Sequence, residues 1–180
     1  GADRGVTDPA TLLRTLPQPV IGAINGLAVT GGLEISVCCD MLLATPATRF
    51  ADTHARVGLV PGWGLSQRLP RIIGLLRAKE MAFTGNFISA QQAYEWGLVN
   101  RIVPETELMP TAITLARDIL SCVPAAILRY KRMMDGGFDL PLAEAMDYER
   151  EMNRTHTGPS AETVAERRLG VQQRGKQQST

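Results

Sequence analysis

The chain has 180 residues, 44% of them hydrophobic and 21% charged, with a formal net charge of +1 at pH 7. That balance suits one globular domain with a sizeable core and excludes a global electrostatic pull toward nucleic acid or membrane surfaces. No apolar run approaches the ~20 residues of a membrane span, and Gly1-Ala2-Asp3-Arg4-Gly5 does not have the character of a signal peptide.

Asp8 before Pro9 is a good N-cap and first helical residue, so a helix is predicted over Pro9–Leu16, ending before Pro17 and Pro19. Val20-Ile21-Gly22-Ala23-Ile24 reads as a buried strand, followed by a glycine-rich turn. A short helix is expected over Leu33–Asp40, then strands over Met41–Thr45 and Arg49–Ala51. Val60-Pro61-Gly62-Trp63-Gly64 is a loop. Helical pattern resumes from Leu65 to about Thr84, with a break near Pro70 and Gly74.

Ser89-Ala90-Gln91-Gln92 is a capping-box start for a helix that ends at Gly97, and Leu98–Val103 alternates as a strand. Four helices follow, roughly Glu105–Cys122, Pro124–Asp135, Leu140–Thr155 and Ala161–Arg174. Gly136-Gly137 and Gly158-Pro159 punctuate them, and the polar tail from Gly175 is expected to fray. Strands alternate with helices early and helices dominate late, which implies an α/β layer followed by a helical part. Two or three short strands make a poor sheet, so residue 1 is expected to lie inside a larger domain whose N-terminal strands are absent from this chain.

The chemistry concentrates in two places. Gly31-Gly32 open a helix directly after a strand, where free N–H groups and the helix dipole attract an oxyanion, with Glu34 nearby to move a proton. The same glycines also suit a plain tight turn. His54 follows 54 − 34 = 20 positions after Glu34, beyond the strand Arg49–Ala51, in the first turn of a short helix running toward Val57. A neutral His opposite an ionised Glu is a plausible proton-handling pair; a histidine packed at a strand end is the plainer alternative.

Asp52 and Thr53 read as caps rather than catalysts, and Asp40 as structural. Ser36 has no partners at a triad spacing. Trp63 either walls a pocket or packs on the core. Cys38, Cys39 and Cys122 are odd in number and lack metal-ligand spacing; with only two histidines they argue against a metal site and for a reducing, cytoplasmic compartment. No basic stripe with interleaved aromatics suggests RNA binding.

Three ordered blocks carry a resemblance. Pro19-Val20-Ile21-Gly22-Ala23-Ile24-Asn25-Gly26 with Gly31-Gly32-Leu33-Glu34 and Cys39-Asp40, then Val60-Pro61-Gly62-Trp63-Gly64-Leu65-Ser66-Gln67-Arg68-Leu69, then Ile88-Ser89-Ala90-Gln91-Gln92-Ala93 with Gly97-Leu98-Val99, resemble the enoyl-CoA hydratase/isomerase, or crotonase, family. The resemblance implies a β–β–α spiral, here its C-terminal portion over residues 1–104, and a helical trimerisation region over 105–180. It further implies a homotrimer or hexamer, an acyl-CoA thioester substrate, and no cofactor beyond the coenzyme A that is part of that substrate.

By the same resemblance, Ala2 and Gly31 N–H groups hold the thioester oxygen and Glu34 is a catalytic glutamate. Gly62 and Trp63 help position substrate or water. The family's second glutamate is replaced here by His54. The implied reaction is hydration of a 2-enoyl-CoA to a 3-hydroxyacyl-CoA. The alternatives are double-bond isomerisation, thioester hydrolysis, or an acyl-CoA-binding subunit without turnover.

Overall fold

The structure is a computed structural model that describes residues 8–178; Ala2 lies outside the described residues. The chain divides into two compact units, one through Arg132 and one from Met133.

The first unit opens with α1 (Pro9–Thr15), whose Asp8 cap accepts from the Thr11 N–H and hydroxyl, both at 2.7 Å. Then come β1 (Ile21–Ile24), β2 (Leu27–Val29), α2 (Gly31–Ser36), β3 (Met41–Ala44), β4 (Arg49–Ala51) and a 3₁₀ turn (Ala55–Val57). They are followed by α3 (Leu65–Ile73), α4 (Leu75–Thr84), β5 (Ile88–Ser89), α5 (Ala90–Glu95), β6 (Arg101–Ile102) and α6 (Glu105–Leu120). Among the described residues the strands form two small sheets. β1–β3–β6 is wholly parallel, and β2–β4 is parallel with β5 antiparallel at its edge.

Glycine at position 22 leaves room for neighbouring side chains beside β1. A Cβ on Gly22 would stand 2.5 Å from Leu42 Cδ2 and 3.2 Å from Cys39 Sγ, so a side chain there would force the Leu42 and Cys39 side chains to shift. Leu33, Phe50, Leu65, Leu69 and Met81 fill the main core between the strands and α2–α5. A smaller cluster of Leu43, Leu108 and Ala112 seats α6 on β1 and β3.

Several boundaries differ from the sequence expectations. The glycine turn contains β2, which the sequence reading left out, and α2 begins at Gly31 and ends at Ser36 rather than at Asp40. The helix stops early because residues 38 and 39 bond back three residues, and the Asp40 and Met41 N–H groups turn to the Val20 carbonyl. α3 runs through Pro70, and the break falls at Gly74, which sits at φ +89°. Pro70 deprives the Ser66 carbonyl of its helical donor, and Ser66 is exposed, so that carbonyl is not shut away from solvent. Of Leu98–Val103 only Arg101–Ile102 pairs in a ladder, because the Leu98 and Val99 N–H groups close the end of α5 on the Ala93 carbonyl. The capping box at Ser89 and Gln92 forms with both bonds.

The second unit comprises the end of α7 (Pro124–Phe138), α8 (Leu142–Arg154) and α9 (Ala161–Gln178). α7 does not stop before Gly136-Gly137. A Cβ on Gly136 would lie 2.8 Å from the Tyr148 hydroxyl, so the glycines admit the α8 tyrosine against the helix, and packing overrides their weak helix propensity. The expected fraying from Gly175 is also corrected: α9 continues to Gln178, through residues that mostly favour helix. Among the described residues, no single helix is long and apolar enough to cross a membrane.

Candidate functional site

Two adjacent parallel strands deliver the site. Val29 at the end of β2 pairs with Ala51 at the end of β4, so the segments that follow, Thr30–Glu34 and Asp52–His54, emerge at the same edge. The C-terminal edge of parallel strands is where α/β proteins commonly bind ligands. Thr30 takes the sharp turn at φ 49°, ψ −117°, with its N–H on the Ala51 carbonyl at 3.2 Å. A non-glycine residue in that conformation stores strain of order 1–3 kcal/mol, and such strain gathers at functional positions. It leaves Gly31 as the first residue of α2; among the described residues its N–H has no acceptor.

Glu34 lies in the first turn of α2 and is 3% exposed. Its Oε1 accepts from the Trp63 backbone N–H at 2.8 Å, and its Oε2 faces His54 Nε2 at 3.5 Å. His54, 6% exposed, stands at the N-cap of the 3₁₀ turn, close to the expected first-turn position. Its other ring nitrogen, Nδ1, lies 2.7 Å from Asp52 Oδ1, which also accepts the His54 backbone N–H at 3.3 Å. Asp52 is itself 5% exposed. A chain of groups therefore runs from the Trp63 N–H through Glu34 and His54 to Asp52.

Trp63 joins both halves. Its N–H holds Glu34, and its ring lies 3.2 Å from where a Gly31 Cβ would be, so the indole is a wall at Gly31 and not a member of the core clusters. Arg14 anchors the loop by donating to the Trp63 carbonyl at 3.2 Å. Gly62, next in the loop, is exposed. Asp52 and His54 also line an apolar cavity of about 330 Å³ between the 3₁₀ turn, α3 and α4, with Leu59, Leu69, Ala82 and Phe83 in its wall.

The arrangement brings Glu34, His54, Gly31 and Trp63 into one neighbourhood. Ser36 is excluded from chemistry, because its hydroxyl donates to the Gly32 carbonyl at 2.7 Å. Asp40 is structural: it accepts the Val20 N–H at 2.6 Å and pairs with Lys131. Burial pushes the Cys38 and Cys39 thiols up, which makes both poor nucleophiles. No group of three His, Cys, Asp or Glu side chains is arranged to hold a metal ion among the described residues. Sequence reasoning underrated Asp52. The usable signal was the spacing: residues i and i+2 leaving a strand point the same way, so Asp52 and His54 were placed to meet.

The family model for enoyl-CoA hydratase/isomerase matches residues 2–173. A probable peroxisomal enoyl-CoA hydratase of Arabidopsis thaliana is 41% identical over 145 residues, which is 81% of this chain and 55% of the relative. The short-chain-enoyl-CoA hydratase of Clostridium acetobutylicum is 39% identical over 77% of this chain and 53% of its own. The solved enoyl-CoA hydratase of Bacillus anthracis superposes with a TM-score of 0.78 at 40% identity, covering 81% of this chain and 56% of that one. The enoyl-CoA hydratase of Mycobacterium tuberculosis gives 0.63 at 42% identity, over 78% and 65%. The chain thus spans about half the length of the curated relatives it matches. The expected crotonase-like α/β fold with C-terminal helices holds, and the chain belongs to the enoyl-CoA hydratase/isomerase family.

Proposed function

We propose that this chain carries the acid–base and oxyanion elements of a site that adds water across the 2,3-double bond of an enoyl-CoA. The observation that carries the reading is the buried Glu34–His54 contact at 3.5 Å, tied through Trp63 to the unengaged Gly31 N–H. Attack of water at C3 moves electrons onto the thioester oxygen. The Gly31 N–H stabilises that developing charge, and one such donor is worth about 10²–10³ in rate. Ala2 N–H is the second donor by family resemblance. Glu34 Oε2 takes the proton of the attacking water, and His54 Nε2 delivers a proton to C2. The Gly62 N–H helps hold the water, and the Trp63 ring walls the thioester.

The cavity beside His54 suits an aliphatic acyl chain, since its lining is overwhelmingly apolar and a catalytic side chain forms one wall. Every step is a proton transfer or an addition, so no cofactor is required besides the coenzyme A of the substrate. Exposed Met134, Phe138, Leu142, Met146, Leu169 and Val171 in the second unit support assembly into a trimer or hexamer, measurable by sedimentation. Three free cysteines, two of them adjacent, fit a reducing, cytoplasmic setting.

Mass spectrometry of products from short, medium and long 2-enoyl-CoAs tests the reading with the full-length protein. A product heavier by one water is the expected result. An unchanged mass with a moved double bond, release of free CoA, or no turnover on any chain length overturns it.

A further inference from the structure

We propose that Asp52 is the positioning residue of this site, fixing the tautomer and aim of His54 so that Asp52, His54 and Glu34 work as one proton-transfer chain. The proposal rests on the hydratase reading for its reaction, but not for its geometry.

Three observations carry it. Asp52 Oδ1 lies 2.7 Å from His54 Nδ1 and also accepts the His54 backbone N–H at 3.3 Å, so one oxygen grips both the ring and the backbone that bears it. An ionised carboxylate only accepts, so Nδ1 carries hydrogen and Nε2 is left as the working nitrogen. That nitrogen faces Glu34 Oε2 at 3.5 Å. Among the described residues, His54 is the only cation-forming side chain in ion-pair contact with either carboxylate. Asp52, His54 and Glu34 are all under a tenth exposed, so proton traffic between them is shielded from bulk water.

The geometry gives a closed cycle that starts from Glu34 as carboxylate and His54 carrying hydrogen on both ring nitrogens, Nδ1 toward Asp52 and Nε2 toward Glu34. Glu34 carboxylate takes a proton from water as the water oxygen bonds to C3. The electron pair of the former double bond, held as the thioester enolate, takes the Nε2 proton at C2. Glu34 is then a neutral acid and His54 a neutral imidazole with hydrogen on Nδ1. The proton returns from Glu34 Oε2 to Nε2 once their separation closes by some tenths of an ångström. Substrate gains one water, and the protein is restored. Without Asp52 the ring is free to flip or change tautomer, and Nε2 loses its fixed role.

The test uses the full-length protein with ¹⁵N-labelled histidine. The His54 signals are assigned by their absence in His54→Gln. The expected result is a protonated Nδ1 with a low-field proton that disappears in Asp52→Ala. An unprotonated Nδ1 in the wild type, or a low-field signal unchanged in Asp52→Ala, overturns the proposal; neither readout depends on turnover. In parallel, Asp52→Asn is expected to lower kcat by about 10²-fold or more while leaving KM for the enoyl-CoA little changed. A cap with a merely structural role would instead lower the melting temperature and leave kcat of the folded fraction intact, which would overturn the proposal. If the wild type turns over no enoyl-CoA, the hydratase reading fails alone and the spectrum still decides the role of Asp52.

Discussion

His54 Nε2 stands 3.5 Å from Glu34 Oε2, with both side chains buried. They lie on segments that follow different strands, and the β2–β4 pairing brings those segments to one edge. A buried acid beside a buried imidazole is costly unless each has a further partner. Each has one: the Trp63 N–H on Glu34 and Asp52 on His54. Among the described residues neither group of the pair is in a salt bridge with Lys or Arg, which leaves its proton available for chemistry.

Gly31 and Trp63 are expected to be coupled. A Cβ at position 31 would come within 3.2 Å of the indole Cζ3, so the ring must yield and the loop that holds Glu34 moves with it. Gly31→Ala should lower kcat/KM by about 10-fold, since displacements well under 1 Å at a reacting centre already cost rate. Trp63→Phe removes the clashing atoms. The double variant should therefore lose less than the sum of the two single losses, as a double-mutant cycle on kcat/KM will show.

Chain-length preference should respond to the cavity between α3 and α4. Ala82 lines it and is only half-buried, so a larger side chain there can enter the space without overpacking the core. Ala82→Trp should raise the ratio of kcat/KM for a four-carbon over a ten-carbon enoyl-CoA by about 10-fold or more, because each excluded methylene forfeits about 1 kcal/mol or more. An unchanged ratio would place the acyl chain elsewhere.

The three cysteines should react in order of exposure. Cys122 is exposed, Cys39 is half-buried and Cys38 is buried. Burial raises the thiols of Cys38 and Cys39, and the thiolate is the reactive form, so both factors slow them. Labelling with a thiol reagent at mildly alkaline pH, read by peptide mapping, should modify Cys122 first and Cys38 only on unfolding.

Much of this site was legible in the sequence, and the reasons are physical. Glu34 was placed by the strand–glycine–helix order, because a helix that starts at Gly31 must put Glu34 in its first turn. His54 was placed by the strand end at Ala51. The distance between them was not legible, since it depends on the register Val29↔Ala51, and β2 itself is only three residues long in a glycine-rich stretch. The Trp63 N–H bond to Glu34 was hidden for a similar reason: backbone donors leave no mark on side-chain identity. Local spacing marks Asp52 as a cap, which fits its bond from the His54 backbone N–H but does not reveal that the same oxygen also holds the ring. In the helical part, Gly136-Gly137 were read as a stop because propensity is local, whereas Tyr148 against Gly136 is a tertiary contact.

The role of Glu34 as the proton acceptor is decided by comparing kcat for a short 2-enoyl-CoA between the full-length protein and its Glu34→Gln variant. Turnover is followed by loss of the enoyl-thioester absorbance. Gln keeps the size of Glu34 and its bond from the Trp63 N–H but cannot take a proton. With Glu34 as the base, kcat falls by about 10²–10⁴ in the variant while circular dichroism shows the fold intact. Turnover by the variant at the wild-type rate would contradict that role.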